Sequence, residues 1–243
     1  STIGSALEAH TSEISLLILK PLNGPTYIFD LVWLRELNYN PDNLKSVLLN
    51  SDCLLGANLK FDLKVLYNEY GLWFDKLYDV VIAAQLISNA AGSKVGRQLG
   101  HSYADICREL LNIHITGKKD LRVSSWAVGT EGRNLDNPWW VEKITYAAND
   151  VQYLFLIREI QIKTICTPLP HTALTNSGNH SDKWGFGMTS VLERELKLIP
   201  VIAKMEYNGV PTNKSMMNLF QNAVKAELNQ VGAFLSKEFQ LDT

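Results

Sequence analysis

The sequence predicts an α/β fold: a mixed β-sheet flanked by helices, followed by a C-terminal helical segment. Three observations lead there. Short apolar runs with strand character come early, helical periods dominate later, and a Pro/Gly/Ser/Asn-rich stretch separates the two from a purely helical end.

Taken in order, Ile14–Leu19 and Tyr27–Asp30 read as strands separated by the turn residues Pro21 to Pro25. Asp42–Leu49 reads as a helix with Pro41 at its start. Cys53–Ala57 is a short apolar run bounded by polar residues and containing Gly56, the pattern of a buried strand. Helical patterns follow over Phe61–Tyr70, Val80–Asn89 and Ser102–Leu111, with Ser102 at a cap position. One long helix is expected from Pro138 to about Lys163. Residues 166–190 carry no period and read as a linker. Beyond them Leu192, Leu196, Ile199 and Ala203 form a stripe interrupted by Pro200, and Asn208-Gly209 ends that helix. Thr212 or Asn213 then caps a long amphipathic helix with Met217, Phe220, Val224, Leu228, Val231 and Leu235 on one face. Two such helices cannot bury both apolar faces alone, so this end reads as the start of something larger. The expected division is 1–165, a linker over 166–190, and 191–243.

Composition sets outer bounds. Hydrophobic residues make up 46% and charged residues 20%, the balance of an ordinary globular protein. No run approaches the roughly 18 apolar residues of a membrane span, and no basic leader precedes an apolar stretch. Cys53, Cys107 and Cys166 are scattered without metal spacing, which fits reduced thiols and a cytoplasmic location. The net charge of −2 argues against strong nonspecific binding of nucleic acid, while leaving room for a local basic groove.

Two constellations carry possible chemistry. Asn58-Leu59-Lys60-Phe61-Asp62 follows the expected buried strand directly, so Asp62 falls at a strand-to-helix junction, where side chains reach a cleft at the sheet's end. Asn or Asp there also serves simply to cap a helix. In Tyr146-Ala147-Ala148-Asn149-Asp150 a phenol and a carboxylate lie one helical turn apart on one face. The structural alternative is a half-buried helix with Tyr146 packed and Asp150 solvated.

Together these segments resemble the second and third motifs of the DEDD superfamily of 3′→5′ exonucleases. Thr145 stands where the histidine-type members carry His, so the resemblance is to the tyrosine type. The segment Leu77-Tyr78-Asp79 through Gln85-Leu86, the helix beginning His101-Ser102, and Ser124-Ser125-Trp126 resemble the proofreading domain of family A DNA polymerases, with Ser125 in place of an Asp. Glu193 to Pro200 and Met205 to Pro211 resemble the segment joining exonuclease to thumb in DNA polymerase I. The implied fold is RNase H-like, with 191–243 as the start of the polymerase thumb.

That resemblance implies two-metal-ion hydrolysis of 3′-terminal phosphodiesters in single-stranded DNA, with Mg²⁺ or Mn²⁺ as cofactor. Asp62 and Asp150 are the implied metal ligands, and Tyr146 the residue that orients the attacking water. Asn58 and Phe61 shape the substrate site, Phe61 near the terminal base. For Asp79 the expectation is a cap for the following helix. Trp126, Trp139, Trp140 and the Lys118-Lys119 pair are candidates for holding a frayed strand, although tryptophans at a helix start usually pack and paired lysines are usually solvated. The implied partners are a single-stranded 3′ end and the remaining thumb, palm and fingers of a polymerase, with no membrane and a monomeric state. The polymerase carboxylates have no counterpart before Thr243.

The family's first motif, Asp-x-Glu, departs from its pattern. One alignment puts Ser1 and Ile3 at those positions; another puts Ala6 at the Asp and Glu8 at the Glu, making Glu8 a third metal-ligand candidate. Both lack the Asp, so the chain is expected to be weakly active or inactive. Two alternatives follow: a catalytically dead nuclease fold that supports a polymerase, and an RNase D-like exonuclease acting on RNA.

Overall fold

The computed structural model describes residues 2–3, 10, 12–90, 102–115, 130–166, 187–209, 211 and 213–239. By internal contacts the chain divides into two units, Ser1–Tyr207 and Asn208–Thr243.

The first unit opens with strands. β1 (Thr2–Ile3) pairs antiparallel with β2 (Glu13–Ile14), and β3 (Leu16–Leu19) pairs antiparallel with β4 (Tyr27–Asp30) in a register that sets Leu16 opposite Asp30. Asp30 then accepts the Val32 and Trp33 amides, which starts a six-residue helix, α1 (Leu31–Glu36), too short to show a period in the sequence. α2 (Asp42–Leu49) follows with Pro41 at its start, as expected. β5 (Leu54–Gly56) and β6 (Leu77–Asp79) pair in parallel, joined through α3 (Leu59–Tyr70). The mixture of antiparallel and parallel pairing matches the expected mixed sheet. Among the described residues it takes the form of three two-stranded pieces.

Helices complete the unit: α4 (Val80–Ala90), α5 (Tyr103–Leu111), a 3₁₀ turn (Thr130–Gly132), α6 (Pro138–Gln152), α7 (Leu154–Cys166) and α8 (Met188–Asn208). The single helix expected from Pro138 to Lys163 is therefore two helices. The break is at Tyr153, whose amide is donated to Tyr103 Oη on α5 at 3.1 Å. Neither Pro nor Gly marks the spot; packing turns the chain so that Leu154 and Ile157 enter the core beside α4 and α5.

Three clusters make up that core. Leu59, Leu63, Val65 and Leu66 of α3 pack with Leu31, Leu44, Leu48 and Leu77. Val80, Ala83, Ile106, Cys107, Leu154 and Ile157 form a second group. Leu16, Trp140 and Ala147 join β3 to α6. Ile199 and Ala203 of α8 belong to the first group and Leu192 to the second. The contact boundary thus falls after Tyr207, where the sequence suggests 190, and the helix runs unbroken through a buried Pro200. The end of α8 is tied to α3 by Glu206, which binds Lys60 at 2.6 Å and Lys64 at 2.9 Å, and by Tyr207, whose hydroxyl meets Asn68.

The second unit is α9 (Lys214–Phe239), started by Asn213, which accepts the Ser215 and Met216 amides. Its apolar stripe is exposed, from Met217 and Phe220 to Leu235. Among the described residues no helix is long and apolar enough to cross a membrane. Of the linker expected over 166–190, residues 167–186 lie outside the described residues, while Cys166 ends α7 and Met188 to Ser190 begin α8.

Candidate active site

The strand-to-helix corner after β5 shapes the site. Gly56 is buried, and a Cβ there would collide with the Leu59 side chain, so the strand passes the helix start at a distance only glycine allows. Asn58 follows in the left-handed conformation (φ 61°, ψ 47°), which Asn tolerates better than most residues. Its side chain does not cap α3. Asp79 does that work from the end of β6: its Oδ2 accepts the Leu59 amide at 2.7 Å, and its Oδ1 accepts the Val81 and Ile82 amides of α4. The expected cap of the following helix is present, and the same buried carboxylate also starts the preceding one.

A cleft of about 1240 Å³ lies against this corner. Asn58, Phe61 and Asp62 reach it from α3, and Tyr146 and Asp150 from α6, where the four-residue spacing sets both on one face as the periodicity demands. Five of the six residues singled out in the sequence therefore meet in one cavity. Glu8, the sixth, lies outside the described residues, as do Trp126 and Lys118-Lys119.

Like charge gathers there. Asp62 stays open to solvent along the cleft yet is ringed by protein atoms, and that surrounding protein, with added repulsion from Asp79 and Asp150, pushes its pKa up to about 6. Two carboxylates opening into one cleft are hard oxygen donors suited to a divalent cation such as Mg²⁺ or Mn²⁺. Among the described residues no group of three His, Cys, Asp or Glu side chains assembles, so Asp62 and Asp150 form a partial donor set.

Other residues differ from the sequence reading. Trp140 is buried, with the Arg133 guanidinium stacked on its ring at 4.6 Å, and Trp139 carries the Lys143 ammonium at 3.9 Å over its own. Neither lines the cleft: Trp140 packs, as tryptophans at a helix start commonly do, and Trp139 stays exposed. Arg133 is fully enclosed and binds Asp30 at 2.9 Å and Ser15 Oγ at 2.7 Å, fastening the start of α6 to the β3–β4 pair. Tyr103 and Phe155 line the cleft although nothing in their local sequence marks them. The only local hint is the Ser102 cap, which makes Tyr103 the first residue of α5.

A family model described as 3′–5′ exonuclease matches residues 8–163. The chain belongs to the 3′–5′ exonuclease family. The match spans all of the cleft residues just named. A comparison with curated proteins found no match. The exonuclease fold is similar to that of Brucella melitensis NrnC bound to pGG, with a TM-score of 0.58, 20% identity, and coverage of 86% of this chain and 82% of that one. It is likewise similar to Brucella melitensis NrnC with bound Mg²⁺ (TM-score 0.54, 19% identity, 86% and 83% covered). An apo form of a nuclease is similar at a TM-score of 0.55 and 16% identity, with 86% and 83% covered. At such identities the likeness is one of fold.

Proposed function

We propose that this exonuclease domain removes nucleotides from single-stranded DNA 3′ ends by metal-dependent hydrolysis, in the setting of a family A polymerase whose exonuclease edits mismatched ends. One observation carries the reading: Asp62, Tyr146 and Asp150, drawn from segments more than eighty residues apart, open into a single cleft. The polymerase setting is supported by the resemblance of residues 193–211 to an exonuclease–thumb junction.

Asp62 and Asp150 would hold Mg²⁺ or Mn²⁺, a choice supported by the Mg²⁺ in one NrnC structure. When bound, the metal supplies positive charge for the leaving oxygen and lowers the pKa of water. Tyr146 presents its hydroxyl as a hydrogen-bond partner that orients the attacking water. Phe61 offers a ring on which a terminal base stacks, and Asn58 an amide for its polar edge. Asp62 must give up its proton before it can bind a cation. Absence of the first-motif Asp from either alignment keeps the expected turnover low.

An RNase D-like action on RNA is a second reading, favoured by the NrnC structures, one of which holds pGG. The deciding experiment follows 5′-labelled DNA and RNA oligonucleotides of one sequence with Mn²⁺, for the wild type and Asp62→Ala. Slow 3′ shortening of DNA that the variant abolishes is the expected result. Faster shortening of RNA establishes the second reading. No Asp62-dependent cleavage of either strand refutes both and leaves the inactive scaffold.

A further inference from the structure

We infer that Tyr103 is a positioning residue of this site: its hydroxyl, fixed on α5, accepts the Tyr153 amide at the α6–α7 break and so holds the last turn of α6 where Asp150 enters the cleft. The inference rests on the proposed role of Asp150.

Asp150 sits in the last turn of α6, three residues before the break. The last carbonyls of one helix and the first amides of the next lack intrahelical partners, and Tyr153, which stands between α6 and α7, finds an acceptor for its amide in the Tyr103 hydroxyl. A frayed turn here would carry the Asp150 carboxylate out of the cleft that it shares with Asp62. Tyr103 reaches the break from fifty residues upstream with a 3.1 Å bond.

Its platform is rigid. α5 is capped by Ser102, which accepts the Asp105 amide, and it is anchored by Ile106 and Cys107, 1% and 0% exposed. The Tyr103 ring also forms part of the cleft wall beside Asp150 and Val151. Its hydroxyl is already engaged, accepting the Tyr153 amide. Burial, foremost, keeps this phenol protonated well above its usual range, and the nearby Cys107 and Asp150 add to that. Tyr103 is thereby suited to holding backbone, whereas Tyr146 lies one turn from Asp150 on the same helix face.

Tyr103→Phe keeps the ring and removes the oxygen. The test titrates Mn²⁺ by electron paramagnetic resonance into the wild-type chain, Tyr103→Phe and Asp62→Ala, with melting temperatures and amide exchange recorded alongside. The expected result is Mn²⁺ affinity about tenfold weaker in Tyr103→Phe, the scale of lost outer-shell support for a ligand. Faster exchange of the Tyr153 amide and a melting temperature close to wild type should accompany it. Wild-type affinity in Tyr103→Phe overturns the inference, and so does a loss matched by general destabilisation. If the wild type shows no Asp62-dependent Mn²⁺ binding, the metal reading itself fails. The positioning role, which rests on that reading, then falls with it, whereas unchanged affinity in Tyr103→Phe beside Asp62-dependent binding in the wild type overturns the positioning role alone.

Discussion

At the scale of single residues, the balance between burial and charge at Asp62 has a consequence for pH. Its carboxyl holds a proton up to about pH 6 in the fold, whereas in the unfolded chain it releases that proton in the ordinary carboxylate range. The folded pKa is the higher one, so this group's contribution to stability is complete below the unfolded value and is lost as pH rises through about 6. Without metal, the urea midpoint of the wild type should therefore fall relative to that of Asp62→Asn between about pH 4 and about pH 7. Parallel midpoints across that range would contradict the assignment. The meeting of Asp62 with Tyr146 and Asp150 in one cleft was expected from the resemblance to the DEDD motifs, while spacing alone set only Tyr146 and Asp150 on one helical face. Tyr103 was not legible, since its direction depends on how α5 meets the end of α6 across fifty residues.

At the scale of elements, the β5–α3 corner couples sterics to the site. Gly56→Ala adds a methyl group against Leu59, which is 5% exposed and has little room to yield. The expected cost is about 1–3 kcal/mol, the usual range for overpacking a core, measured by urea unfolding. Activity or Mn²⁺ binding that depends on Asp62 should fall with it, because the displaced helix carries that residue. The β3–β4 pair, β5 and most helices could be read from period and punctuation, whereas β6 (Leu77–Asp79) was not read as a strand. The break at Tyr153 could not be read, because packing of Leu154 and Ile157 and a distant hydroxyl produce it. The six residues of α1 were missed for another reason: they are fewer than two turns, and what starts them is the Asp30 side chain at the end of a strand.

At the scale of the whole molecule, the three core clusters draw on strands and helices up to α8, and among the described residues none of α9 belongs to them. A chain ending at Gly209 should accordingly melt at the temperature of the full chain, as followed by circular dichroism at 222 nm, a wavelength chosen because α-helices absorb there. A clear drop would mean that α9 supports the first unit. The sequence suggested a linker followed by a helical end that needs a partner surface. The stripe of Leu192, Ile199 and Ala203 was read correctly as one apolar face, but periodicity names a face without naming its partner. That partner is the exonuclease core itself, sealed by the Glu206 contacts to α3.

The shared carboxylate of Asp79 makes the openings of α3 and α4 one mechanical joint. Three amides from two helices converge on a single buried side chain, so neither helix can swing at its start without stripping the other's anchor. The wall of the cleft that bears Asp62 is in this sense welded to the interior.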